Sequence, residues 1–336
     1  MHKKILIITD NLPDQINGVV TTFKNIETYA FLDGYSILYL DPRQFLHIGS
    51  PGYPEVKLSL PWQIGKKIEA LAPDHIHIAT EGPIGLCARL YLDKRGYNYN
   101  TSYHTKFPEF LNKIYKIPTS LTYSYLRWFH KHSGRILTTT QSMVDELRNH
   151  GFRGDIRPWT RGVDRANLKP TKIYSHSSYL HLKPVVLCVG RVSKEKGLDD
   201  LCRLQDDFSI EIVGDGPYRE ELAKKYPRVK FLGYQTGSEL ANSYARADVF
   251  CFPSQTDTFG IVIIEALSLG TPVAAYPVQG PLDILEPGIT GHMSWNLKDS
   301  IEICKLYPRD RVAEASKKWS WDACWKIFKE NLIDLR

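Results

Sequence analysis

Twice along this chain, short apolar runs rich in β-branched residues alternate with stretches of helical spacing, and one irregular stretch separates the two series. The first series contains KKILIITD, YSILYLD, HIHIAT, NYNTSYHT and RILTTT. Between and after them come GVVTTFKNIETYAFLDG, PWQIGKKIEALA, PIGLCARLYLDKRG, SLTYSYLRWFHKHSG and SMVDELRNHG, which read as helices. Such alternation builds right-handed strand–helix–strand units and therefore a parallel sheet. Residues 164–184, DRANLKPTKIYSHSSYLHLKP, have no period and read as a linker. The alternation restarts with PVVLCVG, FSIEIVG, RVKFLG and DVFCFP, and TPVAAYPV closes it. Helical stretches around EKGLDDLCRL, YREELAKKY, GSELANSYARA and FGIVIIEALSLG lie between these runs. The expected class is α/β, with two Rossmann-like doubly wound domains (1–163 and 185–318) facing across a cleft. Ligands are expected at the carboxyl ends of the strands. Residues 319–336 read as a C-terminal helix that packs back toward the first domain. Trp321, Trp325, Phe328 and Leu332 fall on one stripe of it, suited to a core.

A chain of 336 residues suits two domains of about 150 residues each. Six cysteines without a CxxC pair point to free thiols in a reducing compartment. The amino-terminal apolar run is interrupted at Thr9, too early for a secretion signal, and no run approaches the ~20 residues that span a bilayer. A cytoplasmic location is expected. The net charge of +6 sits entirely in residues 1–168, which hold 21 Lys and Arg against 15 Asp and Glu. Either that half meets something anionic or the excess is plain surface composition.

Several loops carry candidate chemistry. GRVSKEKG (190–197) follows a strand and sets Arg191 and Lys196 at its carboxyl end, suited to a diphosphate: Arg as a fork, Lys as a point charge. A solvated loop is the plainer reading. VGDGP brings Gly214 and Gly216, where the backbone can approach a ligand closely or simply turn. Arg219 takes the third glycine's place, so a full dinucleotide fingerprint is absent. Gly18 opens the first helix after DNLPDQIN, where freed backbone N–H groups could hold an anion or Asn17 could cap. His104 stands just past a strand end. His75 and His77 form an H-x-H without a third ligand, so zinc is not expected. No Asp-x-Asp metal clamp occurs, which leaves Arg, Lys and a helix N-terminus to neutralise phosphates. In DTFGIVIIE, Asp257 or Thr258 could cap a helix beginning at Phe259-Gly260, whose N–H groups, with that of Ile261, would face phosphate. Asp257 then lies outside the helix and Glu265 within it. A cap plus a surface acid is the competing account.

Together these segments resemble the retaining GT-B glycosyltransferases of family 4, over nearly the whole chain. The likeness rests on TDNLPDQINGV, EGPIG (81–85), SYHTKFPEF, WTRGVD, GRVSKEKG, VGDGP and PSQTDTFGIVIIEALSLGTPVAAYPVQGPLDIL. The family's acid-x7-acid signature is usually Glu-x7-Glu and here reads Asp257-x7-Glu265. The resemblance implies that Glu265 accepts from the donor ribose and Asp257 from the donor sugar. Thr258, Phe259, Gly260 and Ile261 would present backbone to phosphate and sugar, and Arg191 and Lys196 would stabilise the leaving diphosphate. Gly18 would lie beneath sugar and phosphates, and the base would sit near Val213–Gly214 and Phe231–Gly233. His104 would support the positive charge developing at the anomeric carbon. Asp10, Asn17, Glu81 and His104 fall on the acceptor side.

The implied reaction moves a hexose from a nucleotide sugar, GDP-mannose first, to a lipid or glycan, with no metal or other cofactor and no nucleic acid. A UDP-sugar-dependent glycolipid synthase is the alternative donor reading. A sugar-nucleotide epimerase of the same fold, or a non-catalytic nucleotide- or lipid-binding module, are the alternative classes. Residues 106–135 mix Lys, Arg, Tyr, Phe and Trp, and read either as an anionic-membrane contact or as a packed core helix.

Overall fold

The computed structural model describes residues 2–15, 17–50, 53–104, 106–172, 174 and 183–336. The chain divides into two compact units, Met1–Arg161 with Trp321–Arg336, and Gly162–Ser320.

The first unit contains β1 (Lys3–Ile8), β2 (Tyr35–Leu40), an antiparallel pair β3 (Leu46–Ser50) and β4 (Tyr53–Leu60), then β5 (His75–Ile78), β6 (Asn100–Tyr103), β7 (Arg135–Thr138) and β8 (Asp155–Pro158). Six of them form a parallel sheet in the order β2-β1-β5-β6-β7-β8. Ile5, Leu6, Ile7 and Ile8 of β1 are all fully buried, as a strand covered on both faces requires. One face is covered by Phe23 and Ile26 of the helix Gly18–Leu32 and by Trp321, Trp325 and Phe328 of the helix Trp321–Glu330. Two of the indole N–H groups buried there find acceptors: Trp325 donates to Asp33 Oδ2 (2.7 Å) and Trp159 to the Cys324 carbonyl (3.0 Å), whereas that of Trp321 has no acceptor among the described residues. Ile68 and Leu92, from the helices Ile64–Leu71 and Pro83–Arg95, pack the other face.

The second unit repeats the plan with β9 (Val185–Val189), β10 (Ser209–Val213), β11 (Lys230–Gly233), β12 (Val249–Phe252), β13 (Val273–Ala275) and β14 (Gly291–Met293). Its parallel order is β11-β10-β9-β12-β13-β14. Strand order therefore reverses between β1 and β5 in one unit and between β9 and β12 in the other. Crevices open at such reversals, beyond the carboxyl ends of the strands.

The fold class is α/β with two doubly wound parallel sheets, as the alternation implied. Three differences have physical reasons. β8 and β14 are edge strands of three or four residues, which need no continuous apolar run, so DIRP and GHM carry no strand signal. The second series accordingly does not close at TPVAAYPV. The β3–β4 pair lies outside the six-stranded sheets and was not read either. In the stretch read as a linker, Leu168 belongs to the core of the second unit. Arg165 there donates to the carbonyls of Trp319 (2.8 Å) and Ser316 (2.7 Å). Residues 173 and 175–182 of that stretch lie outside the described residues. All six cysteines are free, and all but the half-buried Cys87 are buried. Among the described residues no helix is long and apolar enough to cross a membrane.

Candidate functional site

In the second unit the reversal between β9 and β12 brings together the two loops that carry most of the candidate residues, 190–197 and 253–260. Their backbones touch: a Cβ at Gly197, whose φ is +67°, would lie 2.5 Å from the Pro253 carbonyl oxygen. Above that contact the Lys196 ammonium sits 2.6 and 2.9 Å from the two carboxylate oxygens of Asp257. The lysine expected on the diphosphate and the acid expected on the sugar are thus paired with each other. Arg191, on the same loop, is exposed.

The helix that contains Glu265 runs Ile261–Ser268, so it starts two residues later than the sequence suggested. The N-cap position is Gly260, with φ +92°, rather than Asp257 or Thr258. The left-handed backbone at Gly260 turns the chain into the helix without a polar side chain, which is why the capping expectation fails. Phe259 is buried edge-on against Trp319, and its carbonyl is covered by the loop after β13, where a Cβ at Gly280 would approach to 2.7 Å. Thr258 is half-buried beside it, and Ile261 packs on the core of the unit.

Glu265 is held from the neighbouring helix Gly237–Arg246: the hydroxyl of Tyr244 donates to Oε2 at 2.9 Å. Burial lifts the Glu265 carboxyl above its ordinary range, and the Tyr244 bond partly offsets this. Sequence reasoning missed Tyr244. Its only signal was its place beside the central strand DVFCF, on a helix whose other face is exposed.

Gly214 and Gly216 have a backbone explanation. A Cβ at Gly214 would lie 1.9 Å from the Gly190 carbonyl oxygen, and one at Gly216 would lie 2.4 Å from that of Val192. The loop after β10 is laid directly on the loop after β9, with Val192 N–H donating to the Asp215 carbonyl (2.9 Å). These glycines therefore support the loop that carries Arg191 and Lys196. Gly214 N–H also donates to the Gly233 carbonyl (2.7 Å), so the two backbone stretches expected near a base are adjacent.

In the first unit, Asp10 closes the reversal between β1 and β5. Its Oδ1 accepts from the Ile84 N–H at 2.8 Å and its Oδ2 from the Thr80 hydroxyl at 2.7 Å. The carboxylate thus caps the helix Pro83–Arg95, and a Cβ at Gly82 would run into it at 2.5 Å. Burial raises the Asp10 carboxyl to about 6, against the lowering effect of those hydrogen bonds. Asn17 caps the helix Gly18–Leu32, its side chain accepting from Val19 N–H and Val20 N–H at 3.0 Å each. That side chain takes N–H groups which an anion at the exposed Gly18 would otherwise use. Glu81 lies 3.3 Å from the buried His130 Nε2, and its carbonyl accepts from the Tyr125 hydroxyl (2.7 Å).

His104 is half-buried, and its Nδ1 is 2.9 Å from Nη2 of Arg161. A guanidinium can only donate, so Nδ1 accepts and the ring proton resides on Nε2. Burial, then the Arg161 charge and His77, hold the imidazole neutral, well below its ordinary range. Arg161 is itself buried, donates to the carbonyls of Trp159 (2.7 Å) and Thr160 (2.9 Å), and stays charged although burial lowers it to about 10. It also went unread in the sequence; a cation inside the apolar run WTRGV was the available sign. His77 turns its Nε2 to Ser102 Oγ (2.6 Å) inside the core, and burial lowers it to about 3. His75 Nδ1 meets the Ile333 carbonyl (2.7 Å).

Two parallel six-stranded α/β units with candidate residues at the carboxyl ends of their strands define the class as a GT-B glycosyltransferase fold. A sucrose-phosphate synthase from Thermosynechococcus elongatus shares it, with a TM-score of 0.77 over 98% of both chains at 18% identity. The chain belongs to the glycosyltransferases of group 1 and family 4. The model described as Glycosyl transferases group 1 matches residues 178–294, and Glycosyltransferase Family 4 matches residues 28–167. The sulfoquinovosyl transferase SQD2 of Arabidopsis thaliana is 30% identical over 92% of this chain and 69% of its own. A GDP-mannose-dependent alpha-mannosyltransferase of Corynebacterium glutamicum is 28% identical over 86% of this chain and 76% of its own.

Proposed function

We propose that this glycosyltransferase is a retaining α-hexosyltransferase that moves mannose from GDP-mannose to a lipid or glycan acceptor and needs no metal ion. The observation that carries the reading is the meeting of the Lys196 loop with the Asp257 loop where β9 and β12 part, next to the helix that bears Glu265. In this reading the diphosphate is received by Arg191, Lys196 and the backbone at Gly260–Ile261. Glu265, oriented by Tyr244, accepts from the ribose, and Asp257 accepts from the hexose. Breaking the sugar–phosphate bond leaves negative charge on the diphosphate and positive character on the sugar. The two cations stabilise the first. On the acceptor side we place Asn17, Glu81 and His104. The acceptor hydroxyl attacks on the face the diphosphate leaves, and a phosphate oxygen takes its proton. Asp10, committed to capping, shapes that side without being displaced.

The Corynebacterium relative's name supports GDP-mannose. The Arabidopsis relative's name, a sulfoquinovosyl transferase, favours transfer of another sugar, and a UDP-sugar donor is the second reading. Thermal-shift measurement against GDP-mannose, UDP-glucose and UDP-galactose separates the two, because the bound donor raises stability by mass action. Stabilisation by the UDP-sugars and not by GDP-mannose would replace the first reading with the second. Turnover that survives EDTA supports metal independence; a strict requirement for Mg²⁺ or Mn²⁺ contradicts it.

For the acceptor we propose delivery at an anionic membrane surface. The helix Thr119–His130 exposes Leu121 and Trp128, with Lys116 and Lys131 exposed at its two ends. Its other face, with Tyr123 and Leu126, is buried, so both expectations for residues 106–135 find residues on one helix. Sedimentation with anionic liposomes at low and high salt tests the contact, and absence of binding at low salt rejects it.

A further inference from the structure

The Lys196–Asp257 pair is more than a donor site needs. A lysine serving only as a point charge for a diphosphate would stand clear of acids, yet its ammonium is held by both oxygens of one carboxylate. The loops that carry the pair also lie against each other, since Gly197 lets its backbone approach the Pro253 carbonyl. The side chains are 28% and 26% exposed, so an incoming ligand reaches them.

We propose that Asp257 is an internal competitor for Lys196 and makes the second unit discriminate against diphosphates that carry no sugar. An anion that approaches the ammonium competes with the carboxylate for its three N–H donors, two of which Asp257 already holds. A nucleotide sugar compensates, because its hydroxyls donate to Asp257 as its phosphate engages Lys196. A bare diphosphate offers no donor and leaves the carboxylate facing another negative charge. The same asymmetry favours release of the diphosphate product once the sugar has gone. The sugar half of the argument rests on the donor reading given above; the competition for Lys196 rests on the geometry alone.

Titration calorimetry of the full chain with inorganic pyrophosphate, GDP and GDP-mannose tests this in the parent protein and in Asp257→Asn. The amide keeps the shape and removes the charge. Pyrophosphate and GDP should bind about tenfold more tightly to the variant, about 1.4 kcal/mol, as loss of a unit charge a few ångströms away implies at a partly exposed site. GDP-mannose should change less, so its advantage over GDP contracts. Adding Lys196→Met to Asp257→Asn should cancel the gain. The proposal is overturned if the single variant binds pyrophosphate no more tightly than the parent, or if the gain survives loss of Lys196. Tighter pyrophosphate with no binding of either guanine nucleotide would uphold the competition and count against the GDP-mannose reading instead.

Discussion

The hydroxyl of Tyr244 donates to Oε2 of Glu265 from a side chain that is itself completely buried. Burial favours the neutral carboxylic acid at Glu265, whereas the ribose hydroxyls it is proposed to bind would donate best to the carboxylate. Tyr244 is thus the residue that keeps a desolvated acid usable. Tyr244→Phe should weaken donor binding roughly two- to tenfold at neutral pH, the worth of one hydrogen bond. It should also move the acid limb of binding to higher pH, because the bond it removes lowers the Glu265 pKa. Glu265→Gln should cost about tenfold or more and flatten that limb. Calorimetric titration of the donor from pH 5 to 8 reads both effects; an acid limb unmoved in the phenylalanine variant would assign the hydroxyl a packing role only.

Arg191 is exposed at the carboxyl end of β9, on the loop that ends in Lys196. If it receives the leaving diphosphate, Arg191→Ala should lower kcat by about 10²–10³-fold, the usual cost of one preorganised donor at a developing charge. Folding should be preserved, since an exposed side chain contributes little to stability. Steady-state turnover beside a thermal melt checks this, and near-parent kcat would remove Arg191 from the reaction.

Asp10 makes a prediction about stability. Its carboxyl is raised to about 6 from an ordinary 3.8, so between those values the folded chain holds a proton that the unfolded chain has released. Stability from this group therefore falls as pH rises through that window and is constant above it, by at most about 3 kcal/mol. Asp10→Asn keeps the acceptor for the Ile84 N–H and cannot ionise. Relative to the parent, the asparagine variant should gain stability on going from pH 4 to pH 7, as read by urea unfolding. A difference that does not vary with pH would show that the carboxyl is not raised.

The Arg161–His104 contact fixes a tautomer. Nitrogen-15 NMR should find His104 neutral, with the proton on Nε2, from pH 8 down to pH 5. In Arg161→Gln the cation is gone while burial remains, so the pKa should rise partway toward 6.5 and the ring should begin to titrate. A parent His104 that titrates near 6.5 would contradict the arrangement. In the proposed reaction a neutral ring would add no positive charge of its own beside a sugar that is becoming positive.

The fold was legible wherever a strand had to be apolar on both faces, as with KKILII, VVLCV and VFCF. It was illegible at one edge of each sheet, where β8 and β14 lack such a run although the opposite edges β2 and β11 carry one, and in the β3–β4 pair outside the sheets. The candidate loops were legible because glycines mark them, but the reasons for the glycines were not. Gly214 and Gly216 read equally as turns or as ligand contacts, and only the packed backbone of Gly190 and Val192 shows what a Cβ would strike. Tyr244, Arg161 and the partnership of Lys196 with Asp257 depend on residues far apart in the chain. Spacing within one segment cannot reveal them.

The first unit is assembled from two separated pieces, and the second piece supplies Trp321, Trp325 and Phe328 to its core. On a ribosome, the chain emerging first can form β1 to β8 but lacks the aromatic cover for one face of that sheet. The second unit, continuous from Gly162 to Ser320, is complete earlier than the unit that precedes it. The first piece therefore keeps apolar surface uncovered until residues 321–336 have been made. Until then the uncovered face is the part of the chain most exposed to aggregation during synthesis.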